Sequence, residues 1–99
     1  MANLEKLTVD DFAPHTGSEF SLQVPEGQPI TLTLREATQL GQPAPGWRHG
    51  FSLQFGGPKT PALPQQVYSM GHDVIGDMDI FIVPIGETAE ERQYEAIFN

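Results

Sequence analysis

Three stretches of this chain alternate apolar and polar side chains with a period of two: EFSLQV (19–24), ITLTLRE (30–36) and GFSLQFGG (50–57). An extended strand sends successive side chains to opposite faces, so each stretch has one apolar face that must be buried. Those faces carry Phe20, Leu22 and Val24, then Ile30, Leu32 and Leu34, then Phe51, Leu53 and Phe55. The turn PEGQP (25–29) between the first two predicts an antiparallel hairpin. QVYSMG (66–71) reads as a fourth strand, DMDIFIVPI (77–85) as a fifth reached through HDVIG, and RQYEAIFN (92–99) as a sixth with Tyr94, Ala96 and Phe98 inward. The 10 Gly and 9 Pro fall between these runs. Most connections are too short for crossover helices, and the long loops, 38–50 and 58–65, are rich in Gly or Pro. The pattern predicts an all-β protein: a small antiparallel six-stranded barrel, or a barrel-like sandwich, forming one domain over 1–99. A barrel is preferred because closure removes exposed edges. Its core is expected to hold Phe20, Leu22, Leu32, Leu34, Leu53, Phe55, Ile80, Ile82, Tyr94 and Phe98.

Residues 1–17 stand apart as an N-terminal helical or covering segment. Residues 4–13 can form a short helix, with Thr8 as its cap and Asp10 and Asp11 suited to the helix dipole; Pro14 and Gly17 end it. Leu4, Leu7, Val9 and Phe12 give this segment an apolar patch. The fifth strand creates a need for such a patch. Met78, Ile80, Ile82 and Pro84 share one face, whereas Asp77, Asp79, Phe81, Val83 and Ile85 share the other. Phe81, Val83 and Ile85 therefore require a cover, supplied either by the N-terminal segment or by a partner chain. Pro84 donates no ladder hydrogen bond and belongs at an edge, a bulge or the strand's end.

The formal charge is −8, from 13 acids against five bases (Lys6, Arg35, Arg48, Lys59 and Arg92). So few cations cannot neutralise a row of phosphates, which excludes nucleic acid and anionic membrane surfaces as partners. The chain has no Cys, and so no disulfide, thiol nucleophile or thiolate metal site. MANLEKLTVDDF lacks the basic start and apolar core of a secretory signal, and no run is apolar enough for a membrane helix. A cytoplasmic location is the expectation.

Candidate chemistry is sparse. His72, Asp77 and Asp79, with Asp73 nearby, are the densest set of cation ligands, but their spacing lacks the order of a calcium loop. The plainer reading of His72 is a hydrogen-bonded side chain that fixes the turn before the fifth strand. Ser69, His72 and Asp73 lie too close in sequence for a catalytic triad, and no G-x-S-x-G elbow is present. FGGPK lacks the spacing of a phosphate loop. No separated carboxylate pair stands out for glycoside chemistry. No catalytic residue and no cofactor is therefore assigned. GWRHG (46–50) supplies Trp47, Arg48 and His49, residue types enriched at binding hot spots, although Trp47 can equally fold back to plug a barrel end.

FSLQFGGP (51–58), Tyr68 with His72 and Gly76, IFIVPIG (80–86) and YEAIFN (94–99) together resemble a family of roughly 100-residue bacterial proteins catalogued only as a domain of unknown function. The resemblance runs from Phe12 to Asn99 and transfers no catalytic residue. It implies a small accessory of phage-tail-like assemblies. The expected function is thus a non-catalytic β-barrel that binds a protein partner or a second copy of itself through Trp47, Arg48, His49, Phe81, Val83 and Ile85. The alternative is a small-ligand or cation-binding barrel using His72, Asp77 and Asp79.

Overall fold

A computed structural model describes residues 7–24, 27–41, 50–60 and 62–98. It begins with a four-residue helix, α1 (Val9–Phe12), that runs into a single 3-10 turn at Ala13–His15. Six strands follow: β1 (Glu19–Gln23), β2 (Ile30–Gln39), β3 (Phe51–Gly57), β4 (Gln66–His72), β5 (Gly76–Glu87) and β6 (Arg92–Phe98). They close into an antiparallel barrel in the order β1-β2-β3-β6-β5-β4, with β4 returning to β1 through Ser21↔Gly71, Leu22↔Met70 and Gln23↔Ser69. The expected barrel is the one observed.

Every residue expected in the core is buried there, joined by Phe12, Phe51, Leu63, Tyr68, Met70, Met78 and Ala96 among others. The alternation in β1, β3, β4, β5 and β6 faces inward in the register read from the sequence. Two strands run past their expected ends. β2 continues from Glu36 to Gln39 because the ladder shifts by one residue between Leu34 and Glu36, leaving Arg35 as a bulge. The bulge reverses the parity, so Ala37 faces Leu53. β5 continues to Glu87 across a second shift between Pro84 and Gly86, which leaves Ile85 as the bulged residue and puts Pro84 directly beside the bulge.

Closing so small a barrel leaves two open ends, and the chain stops both. At the first end, Phe12 is fully buried, with ring centroids 5.6 Å from Phe51, 5.8 Å from Phe98 and 6.5 Å from Phe20. The Asp11 carboxylate accepts the Thr8 backbone N–H at 2.7 Å and fixes the start of α1, as the Thr8 cap predicts. Pro14 does not end the helical path but lies inside the 3-10 turn, where its missing N–H costs nothing. Gly17 makes the turn into β1 at φ 92°, a left-handed conformation that favours glycine.

The second end is crossed by the β3–β4 connection, because β3 and β4 are not neighbours in the barrel. Leu63 of that connection is buried, and its backbone N–H donates to Tyr94 Oη at 3.1 Å. Tyr68 Oη donates to the Pro64 carbonyl at 2.6 Å. Burial in this plug, with a smaller contribution from Tyr94, raises the Tyr68 pKa above its ordinary value.

The two stoppers give a stability prediction. Phe12→Ala should lower unfolding free energy by about 3–5 kcal/mol, as much as a cut into the middle of the core, while Leu53→Ala should cost about 2–5 kcal/mol. Urea titration followed by circular dichroism measures both. A Phe12→Ala cost near zero would show that α1 does not stopper the barrel.

Candidate functional site

Outside the barrel, β4, β5 and β6 form one continuous face. Val67 pairs with Phe81, and on the neighbouring strand Ile97 lies two residues beyond Glu95, the partner of Val83. Val67, Phe81 and Ile97 are thus outward apolar residues on three neighbouring strands. Val67 is 60% exposed, Phe81 49% and Ile97 55%. Val83 and Ile85 extend the apolar surface along β5, with Ile85 46% exposed. Asp79 lies next to this surface on one side, two residues before Phe81, and Glu95 lies on the other, two residues before Ile97. Glu95 is held by Ser52, whose hydroxyl donates to Oε2 at 3.0 Å.

The cations lie elsewhere. Arg35, projecting from the β2 bulge, makes a two-pronged contact to Glu91 in the β5–β6 connection, at 3.2 Å through Nε and 2.8 Å through Nη2. That contact holds the Arg35 pKa above its ordinary value. It passes over Gly56, where an added Cβ would run into the Glu91 carboxylate. Lys59 Nζ donates to Glu87 at 2.6 Å and to the Thr88 carbonyl at 2.7 Å, holding the Glu87 carboxyl below its ordinary range. Arg92 Nε donates to the Lys59 carbonyl at 2.7 Å. All three Lys and Arg among the described residues thus gather at the β5–β6 connection, although in sequence they look dispersed. No Lys or Arg projects from the outward positions of β4, β5 or β6.

His72, at the end of β4, sits in a network that sequence spacing does not reveal. Its Nδ1 accepts the backbone N–H groups of Val74 (3.1 Å) and Ile75 (3.2 Å). Two donors on Nδ1 assign the proton to Nε2, which then donates to Ser18 Oγ at 3.0 Å. Ser18 Oγ donates in turn to the His15 carbonyl at 2.5 Å. The His72 ring lies 4.5 Å from Phe20 and meets the His15 ring edge-on at 4.7 Å. The turn-fixing role expected of His72 is therefore observed, and the network also ties the 3-10 turn to the β4–β5 turn. It cannot activate a nucleophile. A general base must point an unprotonated nitrogen at the hydroxyl, and this one points its N–H.

The expected site residues separate into three groups. Phe81, Val83 and Ile85 share the outer face of β5, as anticipated, but the described part of the N-terminal segment does not cover them. Phe12 turns into the barrel mouth, because the rings of Phe20, Phe51 and Phe98 present a deeper apolar surface there. His72, Asp77 and Asp79 do not converge: Asp77 pairs with Gly71, Asp79 with Ser69, and both His72 nitrogens are engaged. Among the described residues no group of three His, Cys, Asp or Glu can hold a metal ion. Trp47, Arg48 and His49 lie outside the described residues. Val67 and Ile97 were not anticipated, because each is a single outward residue in its strand and gains meaning only from the register.

A separate open cleft of about 530 Å³ lies at the second barrel end between Val24, Gln28, Pro29, Ile30, Pro58 and Thr60. None of its described lining residues is titratable, so it offers no acid–base chemistry. No helix among the described residues is long and apolar enough to cross a membrane. A family model described as a domain of unknown function (DUF6916) matches residues 7–98. No curated protein and no solved structure matches the chain.

The His72 network makes stability depend on pH. Burial first, and the neighbouring His15 second, lower the His72 pKa below 6.5, with Asp73 opposing them. The unfolded chain therefore binds a proton near 6.5 where the folded one does not. The stabilisation is complete above that pH and is lost as pH falls through it toward the folded value. Glu87 acts in a lower window, below 4.5. The melting temperature should drop between about pH 7.5 and about pH 5.5, and His72→Gln should flatten that slope while costing about 1–3 kcal/mol at neutral pH. A slope unchanged in the variant would remove His72 from the account.

Proposed function

The chain belongs to the family of that domain of unknown function, which brings no activity with it, and we propose that it is a non-catalytic β-barrel module that binds another protein as an accessory of a larger assembly. One observation carries this reading: the outward row Val67, Phe81 and Ile97, each about half exposed or more, across three adjacent strands. Single exposed apolar residues are ordinary on protein surfaces, whereas a contiguous apolar strip is what interfaces use. The hydrogen-bonding pattern supports the absence of chemistry. His72 has the wrong proton placement for a base, and no buried side-chain polar atom among the described residues lacks a partner. An accessory in a phage-tail-like assembly, which the family resemblance implies, fits a compact barrel that presents one sticky face.

A photo-crosslinking phenylalanine analogue placed at position 81, compared with one at exposed Thr31 on the β1–β2 side, tests the reading in the native host. Position 81 should give a discrete crosslinked band that Thr31 does not, and Ile97→Lys should abolish it. Equal, diffuse labelling from both positions would sink the proposal.

A further inference from the structure

We propose, resting on the reading of the β4–β5–β6 face as a protein-binding surface, that its partner presents apolar side chains flanked by Lys or Arg. Charge complementarity around Val67, Phe81 and Ile97 points to this partner. Asp79 and Glu95 border the row on opposite sides, and Asp77 continues the acidic side along β5. The outward positions of these three strands carry no cation. The Lys and Arg among the described residues, Arg35, Lys59 and Arg92, are engaged with Glu87, Glu91 and backbone carbonyls at the β5–β6 connection. A net charge of −8 adds a long-range field of the same sign.

A partner that desolvates the apolar row must bring its own rim against Asp79 and Glu95. An acidic or neutral rim leaves those carboxylates partly dehydrated and unpaired, whereas a Lys or Arg rim pairs them. The same geometry disfavours a second copy of the chain. Two copies meeting through this face would place carboxylates against carboxylates with no outward cation between them.

The occupant is thus a cationic, amphipathic surface, and a minimal probe of that chemistry is an amphipathic helical peptide built from Leu and Lys, with a Leu/Glu peptide as its counterpart. Amide chemical shifts of the full-length chain report where each binds. The Leu/Lys peptide should move the amides of Val67, Phe81 and Ile97 more than those of Thr31 and Thr33, and its binding should weaken as salt is raised. Phe81→Thr, which puts a residue of high strand propensity in its place, should weaken it about tenfold. The double change Asp79→Asn with Glu95→Gln should weaken it severalfold while leaving the Ser52 hydrogen bond possible. A dispersed amide spectrum for each variant shows that the barrel is intact.

If the Leu/Glu peptide binds the row equally well, or the double variant binds unchanged, the cationic partner is wrong and the protein-binding reading survives. If neither peptide moves the row and Phe81→Thr changes nothing, both fall. If instead the mass by sedimentation rises with concentration and Phe81→Thr prevents it, a second copy covers the face and the cationic partner is overturned.

Discussion

The pairing of β1 with β4 is the contact on which the rest of the structure depends. It consists of three residue pairs, yet it turns a six-stranded sheet into a closed barrel. Without it, β1 and β4 would each expose a row of unpaired N–H and C=O groups. Closure then sets further demands. The interior must be filled by side chains from alternate positions, which is why the inward faces read so uniformly as Phe, Leu, Ile and Met. The ends must be stopped, and the two solutions differ in kind. One is a lone aromatic ring on a four-residue helix, too short to be stable without tertiary contacts. The other is a connection pinned by two tyrosine hydroxyls. The first stopper is also secured by His72, whose imidazole links the turn after α1 to the turn before β5.

Local alternation was enough to read the strands, the barrel and the core, because each inward residue is fixed by its parity within one strand. What depended on distant parts of the chain was not legible. Arg35 interrupts the alternation of β2, so Ala37 and the strand's last turn of pairing look like loop until the bulge is seen. Phe12 reads as a lid for the outer face of β5, since sequence gives its apolarity but not the competing ring of Phe20, Phe51 and Phe98. Ser18 and His72 are 54 residues apart, and nothing in either neighbourhood signals the other. Val67 and Ile97 gain weight only once the strand order places β4 and β6 on either side of β5.

Closure also restricts how this protein can recognise anything. A sheet with a free edge can bind an extended peptide through main-chain hydrogen bonds, but a closed barrel has no such edge to offer. Recognition must then run through side chains on an outer face, at a barrel end, or in a loop. The described ends are occupied by stoppers, and the cleft beside Pro29 and Pro58 brings no charged group to orient a ligand. The outer faces are unequal as well. Over β2 and β3 the surface is crossed by the Arg35–Glu91 pair and the Ser52–Glu95 hydrogen bond. Over β4, β5 and β6 it is apolar with an acidic border.

Folding alone does not account for that apolar row. A cross-strand pair such as Val67 with Phe81 is worth about 0.2–1 kcal/mol, and Thr or Tyr pairs in the same places would give similar amounts with less apolar exposure. Asp77 and Asp79 show that β5 tolerates charged outward residues within the same ladder. Fully covering one large apolar side chain is worth about 1.5–3 kcal/mol, and these three already stand about half free of the barrel. On the proposed reading the larger gain lies in association, and the border of carboxylates selects what can associate. Neutral apolar surfaces would forfeit the hydration of Asp79 and Glu95, while a cationic border exchanges that hydration for ion pairs. Cations on the face itself would already have paired those carboxylates. Arg35, Lys59 and Arg92 instead gather at the β5–β6 connection, at one barrel end.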